Sequence, residues 1–152
     1  MKISYECIAE KQKDNIFLVT FPDFEEAVTE GESLEEALFN AEEVLTLTLE
    51  GRIEEGGYIP LPRPEKSKTE IAYKIYPSPR VQSALLVRFI RSQKSLSELA
   101  RSLETSWPSA SRLEDPHHWS SLRQLNRVAE IFGNRLVLSF ESIKDSLSKP
   151  MS

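Results

Sequence analysis

Carboxylates are the commonest charged groups in this chain, and their placement limits what chemistry they can do. Residues 1–70 hold 17 Asp and Glu against 7 Lys and Arg, a net of −10. A metal-dependent nuclease needs several carboxylates converging on two divalent ions about 4 Å apart. The candidates are Glu6 and Asp23 on expected strands and Glu32, Glu35 and Glu36 on an expected helix. No D-x-D or D-x-E pair occupies an expected strand face, and so acidic a half repels an RNA substrate. Ser/His/Asp catalysis fares no better. The two histidines, His117 and His118, are adjacent and cannot both face one nucleophile. Five glycines include no phosphate-cradling loop, and the single Cys7 excludes an internal disulfide or a cysteine zinc site. The reading is a non-enzyme with no cofactor and no bound metal.

Chemistry of another kind is carried by residues 95–133. Residues 71–152 hold 12 Lys and Arg against 7 Asp and Glu, a net of +5, which suits phosphate. Ser95 and Glu98 form a capping box, and Leu96, Leu99, Ala100 and Leu103 give the helix behind them one buried side. Glu104-Thr105 breaks that helix. Ser106 caps a second one, with Pro108 tolerated in its first turn. A third helix spans Leu122–Phe132 and ends at Gly133. Two short helices joined by a tight turn let the second protrude into a major groove. Ala110 and Leu113 face inward, which leaves Trp107, Pro108, Ser109, Ser111 and Arg112 outward. Arg112 can hold guanine O6 and N7 with two bonds. Ser95, Ser106 and the helix N-termini are candidates for phosphate. An outward Trp107 has a second reading, packing on a neighbouring chain or on the Pro116–Trp119 loop. The segment is similar to the Cro/repressor type of helix-turn-helix, except that Glu104 stands where that type carries glycine.

The elements before it read differently. Residues 2–9 alternate, with Ile3, Tyr5 and Cys7 on one face. Ile16–Phe21 is apolar on both faces, as a central strand would be, and Asp14-Asn15 marks the turn between the two. Pro22 stops the ladder, and Ala27–Thr29 is expected as a short third strand. Ser33 and Glu36 box the start of a helix whose Leu34, Ala37, Leu38, Ala41, Val44, Leu45 and Thr48 share a face; Gly51 or Gly56-Gly57 ends it. Ile59-Pro60-Leu61-Pro62-Arg63-Pro64 must be extended. Glu70–Tyr76 alternates and returns to the sheet.

Phe21-Pro22-Asp23-Phe24, Thr29-Glu30-Gly31-Glu32-Ser33-Leu34-Glu35-Glu36-Ala37, Asn40-Ala41 and Ile59-Pro60-Leu61-Pro62 together resemble the HicB family of antitoxins over residues 1–65. That resemblance implies a partial ribonuclease H-like fold. It also implies a HicA-like, mRNA-cleaving toxin as partner, and a C-terminal DNA-binding module. An acidic loop complements the basic face that an RNA-binding toxin must present. The implied toxin-binding segment therefore carries Phe21, Asp23, Phe24, Glu25, Glu26, Glu30 and Glu32. The bland alternative for the same charges is a solvated loop.

After Gly133, residues Arg135–Glu141 alternate once more. A lone strand cannot satisfy its own backbone, so it pairs within the chain or with its copy across a two-fold axis. The second option makes Leu136, Val137, Leu138 and Phe140 dimerisation residues. The expected class is α+β: a small antiparallel sheet with one helix, followed by an all-α helix-turn-helix domain with a terminal strand. The expected boundaries are a toxin-binding domain at 1–76, a hinge at 77–79, a DNA-binding and dimerisation domain at 80–141 and a tail at 142–152. The expected partners are the toxin, operator double-stranded DNA and a second copy. The longest apolar run is too short to span a bilayer, and no secretory block follows Met1, so a cytoplasmic protein with no membrane partner is expected. Two rivals remain: a free-standing transcription regulator with a sensing N-terminal domain, and an active ribonuclease.

Overall fold

The computed structural model describes residues 1–65 and 67–143. The chain divides into two units, Pro79–Ser139 and the remainder, which joins Met1–Ser78 to residues from Phe140 onward. Phe140 and Glu141, expected to close the second domain, thus group with the first unit. The expected tail lies outside the described residues from 144 onward. No described helix is long and apolar enough to cross a membrane.

The first unit is α+β. Strands β1 (Tyr5–Lys11), β2 (Phe17–Phe21), β3 (Phe24–Gly31) and β4 (Ala72–Ile75) form one antiparallel sheet in the order β3-β2-β1-β4. The β1–β2 turn is built by local polar groups. Asn15 takes a positive φ of 67°, and the Asp14 carboxylate accepts the Ile16 N–H at 3.1 Å. The third strand is longer than expected. Pro22-Asp23 is only a two-residue link, and Phe21 pairs with Phe24 across a bulge. The reason is that β3 is an edge strand, where charged side chains are favoured. Glu25, Glu26 and Glu30 read as loop in sequence but lie in the strand, Glu30 opposite Leu18.

Helix α1 (Leu34–Glu55) packs on the sheet through Ala37, Leu38, Ala41, Leu45 and Leu49. Ser33 accepts the Glu36 N–H at 3.1 Å. The reciprocal half of the box is displaced by one residue: the Glu36 carboxylate meets the N–H of Glu32 at 3.4 Å. Gly51 sits inside the helix. Gly56 ends it, at a φ of 69° that suits glycine at a helix C-terminus. Gly31 is the other glycine with a specific need. A Cβ there would lie 2.4 Å from the backbone nitrogen of Ala37.

The second unit is helical: α2 (Pro79–Arg91), α3 (Leu96–Ser102), α4 (Trp107–Arg112) and α5 (Leu122–Ile131). Val87, Leu99, Ala100, Leu103, Ala110, Leu113 and Val128 form its core, with Ile90, Leu96, Leu125 and Phe132 packed around them. The expected strand at 135–141 is not formed. Those residues have no regular structure, because no described segment offers them a ladder partner.

Candidate functional site

Two surfaces were expected, and the structure treats them unequally. On the first unit, Phe21 and Phe24 are corrected: both are buried, Phe24 completely. Their rings complete the sheet–helix core, because the bulge turns both inward. Phe24 meets Tyr5 edge-on at 4.8 Å between centroids, and the Arg52 guanidinium lies 4.7 Å above its ring. That guanidinium also grips both oxygens of Glu26, at 2.7 and 2.8 Å, and donates to the Tyr58 carbonyl at 2.9 Å. The pair lowers the Glu26 carboxyl to about 2 and raises Arg52.

Asp23 is largely covered and meets Arg63 at 3.1 Å. Tyr5 donates its hydroxyl to the Pro60 carbonyl at 2.7 Å; burial first, and the nearby Asp23 carboxylate second, raise its phenol. The segment after it is tied down by a cross-strand pair of β1 and β4: the Glu6 carboxylate accepts the Ser67 N–H at 2.8 Å, and Lys74 donates to the Arg63 carbonyl. Asp23 and Glu26 are therefore structural anchors. Glu25 and Glu32 are exposed, as is Glu30, and none has an ion-pair partner among the described residues. The Glu30 carbonyl accepts the Asn40 side-chain amide at 2.8 Å. Sequence reasoning did not find the exposed face of α1. Phe39 is 62% exposed and Leu47 65%, beside exposed Glu35, Glu42 and Glu43. Their spacing, one stripe at i, i+4 and i+8, was the available signal.

The second surface is α4 and the helix ends around it. Ser106 caps α4, accepting the Ser109 N–H at 3.3 Å, while its own hydroxyl donates to Ser109 Oγ at 2.9 Å. Trp107 is 52% exposed. Pro108 and Arg112 are exposed, Ser109 and Ser111 half-buried. No acidic partner engages Arg112 among the described residues. Arg101 and Arg123 share that condition and were not singled out in the sequence. Ser95 is exposed, but its N–H is taken by Glu98 at 2.8 Å, so a phosphate would have only its hydroxyl to meet. The turn between α3 and α4 places Glu104 at a φ of 54°. Arg91 and Glu114 pair at 2.6 and 2.8 Å and fix the end of α2 against the residue after α4. Among the described residues no three His, Cys, Asp or Glu side chains are grouped to hold a metal ion.

Residues 4–75 match the model of a family described as HicB-like antitoxin of bacterial toxin–antitoxin system. Antitoxin HicB 1 of Photorhabdus laumondii is 30% identical over 138 residues, covering 90% of this chain and 86% of that protein. This chain belongs to the HicB antitoxin family. Antitoxin HicB of Escherichia coli K12 is also 30% identical, over 80% of this chain and 88% of its own. Among solved structures, the antitoxin HicB of Burkholderia pseudomallei is 14% identical. It covers 70% of this chain and 89% of its own, with a TM-score of 0.43. A toxin–antitoxin complex from Streptococcus pneumoniae is 19% identical, with 73% and 95% covered and a TM-score of 0.41. The family match ends at residue 75, but the Photorhabdus relative spans far more, so the HicB likeness includes most of the helical unit.

Proposed function

We propose that this chain is an antitoxin that binds and neutralises a HicA-like mRNA-cleaving toxin and represses its own operon by binding operator DNA. The observation that carries this is family membership at 30% identity along most of the chain. The first unit is the toxin-binding half, a partial ribonuclease H-like sheet; among the described residues no three acids are grouped to hold a metal ion. Glu25, Glu30 and Glu32 are its free acids for a basic partner; Asp23 and Glu26 act by holding the fold behind them. A protein lacking a converging carboxylate set inhibits by covering a surface rather than by cutting.

The second unit is the DNA-binding half. Its support is the sequence α3, tight turn, α4, with Arg112, Trp107 and Pro108 outward on α4 and Ala100, Ala110 and Leu113 inward. Arg112 reads a base edge, and Ser95, Ser106, Ser109 and Ser111 meet sugar or phosphate. The protein works in the cytoplasm, without a cofactor.

The test is co-expression with the product of the adjacent small gene. Co-purification as a complex together with rescued growth is the expected result. No complex and no rescue would make the chain a stand-alone regulator. RNA cleavage by the purified chain, lost in Glu6→Gln, would make it an enzyme.

A further inference from the structure

Helix α1 carries two apolar side chains that the sheet does not use and one glycine that the chain does not need. Phe39 is 62% exposed and Leu47 65%, although Ala37, Leu38, Ala41, Leu45 and Leu49 already complete the buried face of the same helix. Phe39, Glu43, Leu47 and Gly51 follow one another at intervals of four. Side chains spaced in this way form a continuous ridge, of the kind that interdigitates when two helices cross at about −50°.

Gly51 is the informative member of that ridge. Short of proline, glycine is the poorest residue for a helix interior, because it loses the most freedom on folding. At Gly31 the chain itself supplies a reason for glycine, since an added Cβ would lie 2.4 Å from the backbone nitrogen of Ala37. At Gly51 an added Cβ would meet nothing within 4 Å, and the residue has no positive φ. One turn beyond exposed Leu47, it leaves a notch in which a second backbone has room to approach.

The charges around the ridge select what fills it. Glu35, Glu42 and Glu43 are exposed near Phe39 and make no ion pair among the described residues. The helix has one cation, Arg52, and both oxygens of Glu26 already hold it. A second copy of the same face would therefore set carboxylates against carboxylates. A helix with Lys or Arg beside its apolar side chains complements the ridge in both shape and charge.

We infer that the ridge from Phe39 to Gly51 docks a basic amphipathic helix of the toxin, with Phe39 and Leu47 as its anchors and Gly51 as the point of closest approach. This rests on the toxin-binding reading above, and it adds the outer face of α1 to the free acids of β3. The apolar anchors hold the complex, and the carboxylates steer the encounter.

The test titrates the full chain and its variants with the protein product of the adjacent small gene. Phe39→Ala and Leu47→Ala should each raise the dissociation constant about thirtyfold. Thermal unfolding should stay unchanged in both, since the side chains are exposed. Gly51→Ala should move two readouts in opposite senses. The sheet unit should melt about 4–8 °C higher, while the dissociation constant rises about tenfold because the notch is filled. A glycine with a merely structural role would not separate the two. If the parent binds and the Phe39 and Leu47 variants bind as tightly, the ridge is overturned. A Gly51→Ala chain that is less stable, or that binds like the parent, overturns the notch. Variants that lose self-association instead of toxin binding assign the ridge to a second copy and overturn the choice of partner. Failure of the parent itself to bind removes the toxin-binding reading, and this inference with it.

Discussion

The two units are held together by different kinds of polar contact. In the sheet unit the bonds span long stretches of chain: Arg52 to Glu26, Arg63 to Asp23, and Ser67 to Glu6. In the helical unit most are local. Ser95 with Glu98, Ser106 with Ser109 and Ser121 with Gln124 each close a helix end over three residues. Exceptions include Arg91–Glu114, which spans 23 positions, and the Arg80 guanidinium donating to the Pro116 carbonyl across 36. The difference changes what the net charges mean. Of the first half's carboxylates, Asp23 and Glu26 are committed to the fold and present little to a partner. In the second half Arg101, Arg112 and Arg123 have no acidic partner among the described residues, just as Glu25, Glu30 and Glu32 have no basic one in the first. Counting charges in sequence does not tell these free groups from the anchors.

The comparison can be broken most forcefully at Phe24. Phe24→Ala removes a fully buried ring that supports both Tyr5 and Arg52, and should cost about 3–5 kcal/mol. Both tryptophans, Trp107 and Trp119, lie in the helical unit. Tryptophan fluorescence therefore reports that unit, and far-UV circular dichroism reports both. Under urea the variant should lose its sheet signal early while the fluorescence midpoint stays. Equal movement of the two midpoints would mean that the units unfold as one.

Arg112→Ala addresses the other side of the comparison. If the free arginine of α4 reads a base edge, its loss should weaken binding to the DNA upstream of the gene by about 1–3 kcal/mol. The urea midpoint should not move, because the side chain is exposed. Toxin binding should also be untouched. Fluorescence anisotropy with labelled DNA measures the first, and co-purification the last. Joint loss of DNA and toxin binding would contradict a division of labour between the units.

How much of this was legible in sequence follows the same contrast. The caps at Ser33, Ser95 and Ser106 could be read because each signal lies within three residues of what it fixes. The β1–β2 hairpin and the inward positions Ala100, Ala110 and Leu113 could be read from periodicity. Long-range contacts could not. Nothing local ties Glu26 to Arg52, so an anchor looked like part of a binding loop. Phe21 and Phe24 lie within a family motif, and their burial depends on a bulge at Thr20–Phe21 that no composition announces. Strand β3 was shortened by its glutamates, which are edge residues. Gly51 and Gly56-Gly57 both read as stops; a glycine inside a well-packed helix is tolerated, and the stop is Gly56. Arg135–Glu141 reads as a strand and is unpaired in one chain, because a strand needs a partner that periodicity cannot supply.

A smaller test concerns the anchor itself. The Glu26 carboxyl is held at about 2, below its ordinary value, chiefly by the bond from Arg52. A group depressed in this way stabilises the fold above its unfolded pKa, and the gain is lost as pH falls towards 2. The carboxylate is half-exposed, so solvent screening keeps the contribution below about 1 kcal/mol. Glu26→Gln should flatten the acid limb of the sheet unit's stability curve by that amount, and should leave the fluorescence midpoint of the helical unit unchanged at every pH. A wild-type acid limb that glutamine does not alter would remove this pair from the account of the sheet unit.

The smallest expected effect lies in the turn before α4, and it has the opposite sign. Glu104 adopts a φ of 54°, a conformation that costs a side chain with a Cβ about 1–2 kcal/mol and costs glycine nothing. Glycine gives back about 0.5–1 kcal/mol through its greater freedom when unfolded. The ion pair at stake, with Arg127 at 3.9 Å, is solvated and contributes little. Glu104→Gly should therefore raise the stability of the helical unit by about 0.5 kcal/mol, seen as a later fluorescence midpoint with no change in the sheet signal. Removing a negative charge beside the proposed DNA surface should also tighten operator binding, more at low salt than at high. A glycine variant that is less stable would mean that Glu104 makes a contact worth more than its strain. The turn would then be held by side chains, and the contrast between locally capped helices and a long-range sheet would fail at the element that positions Arg112.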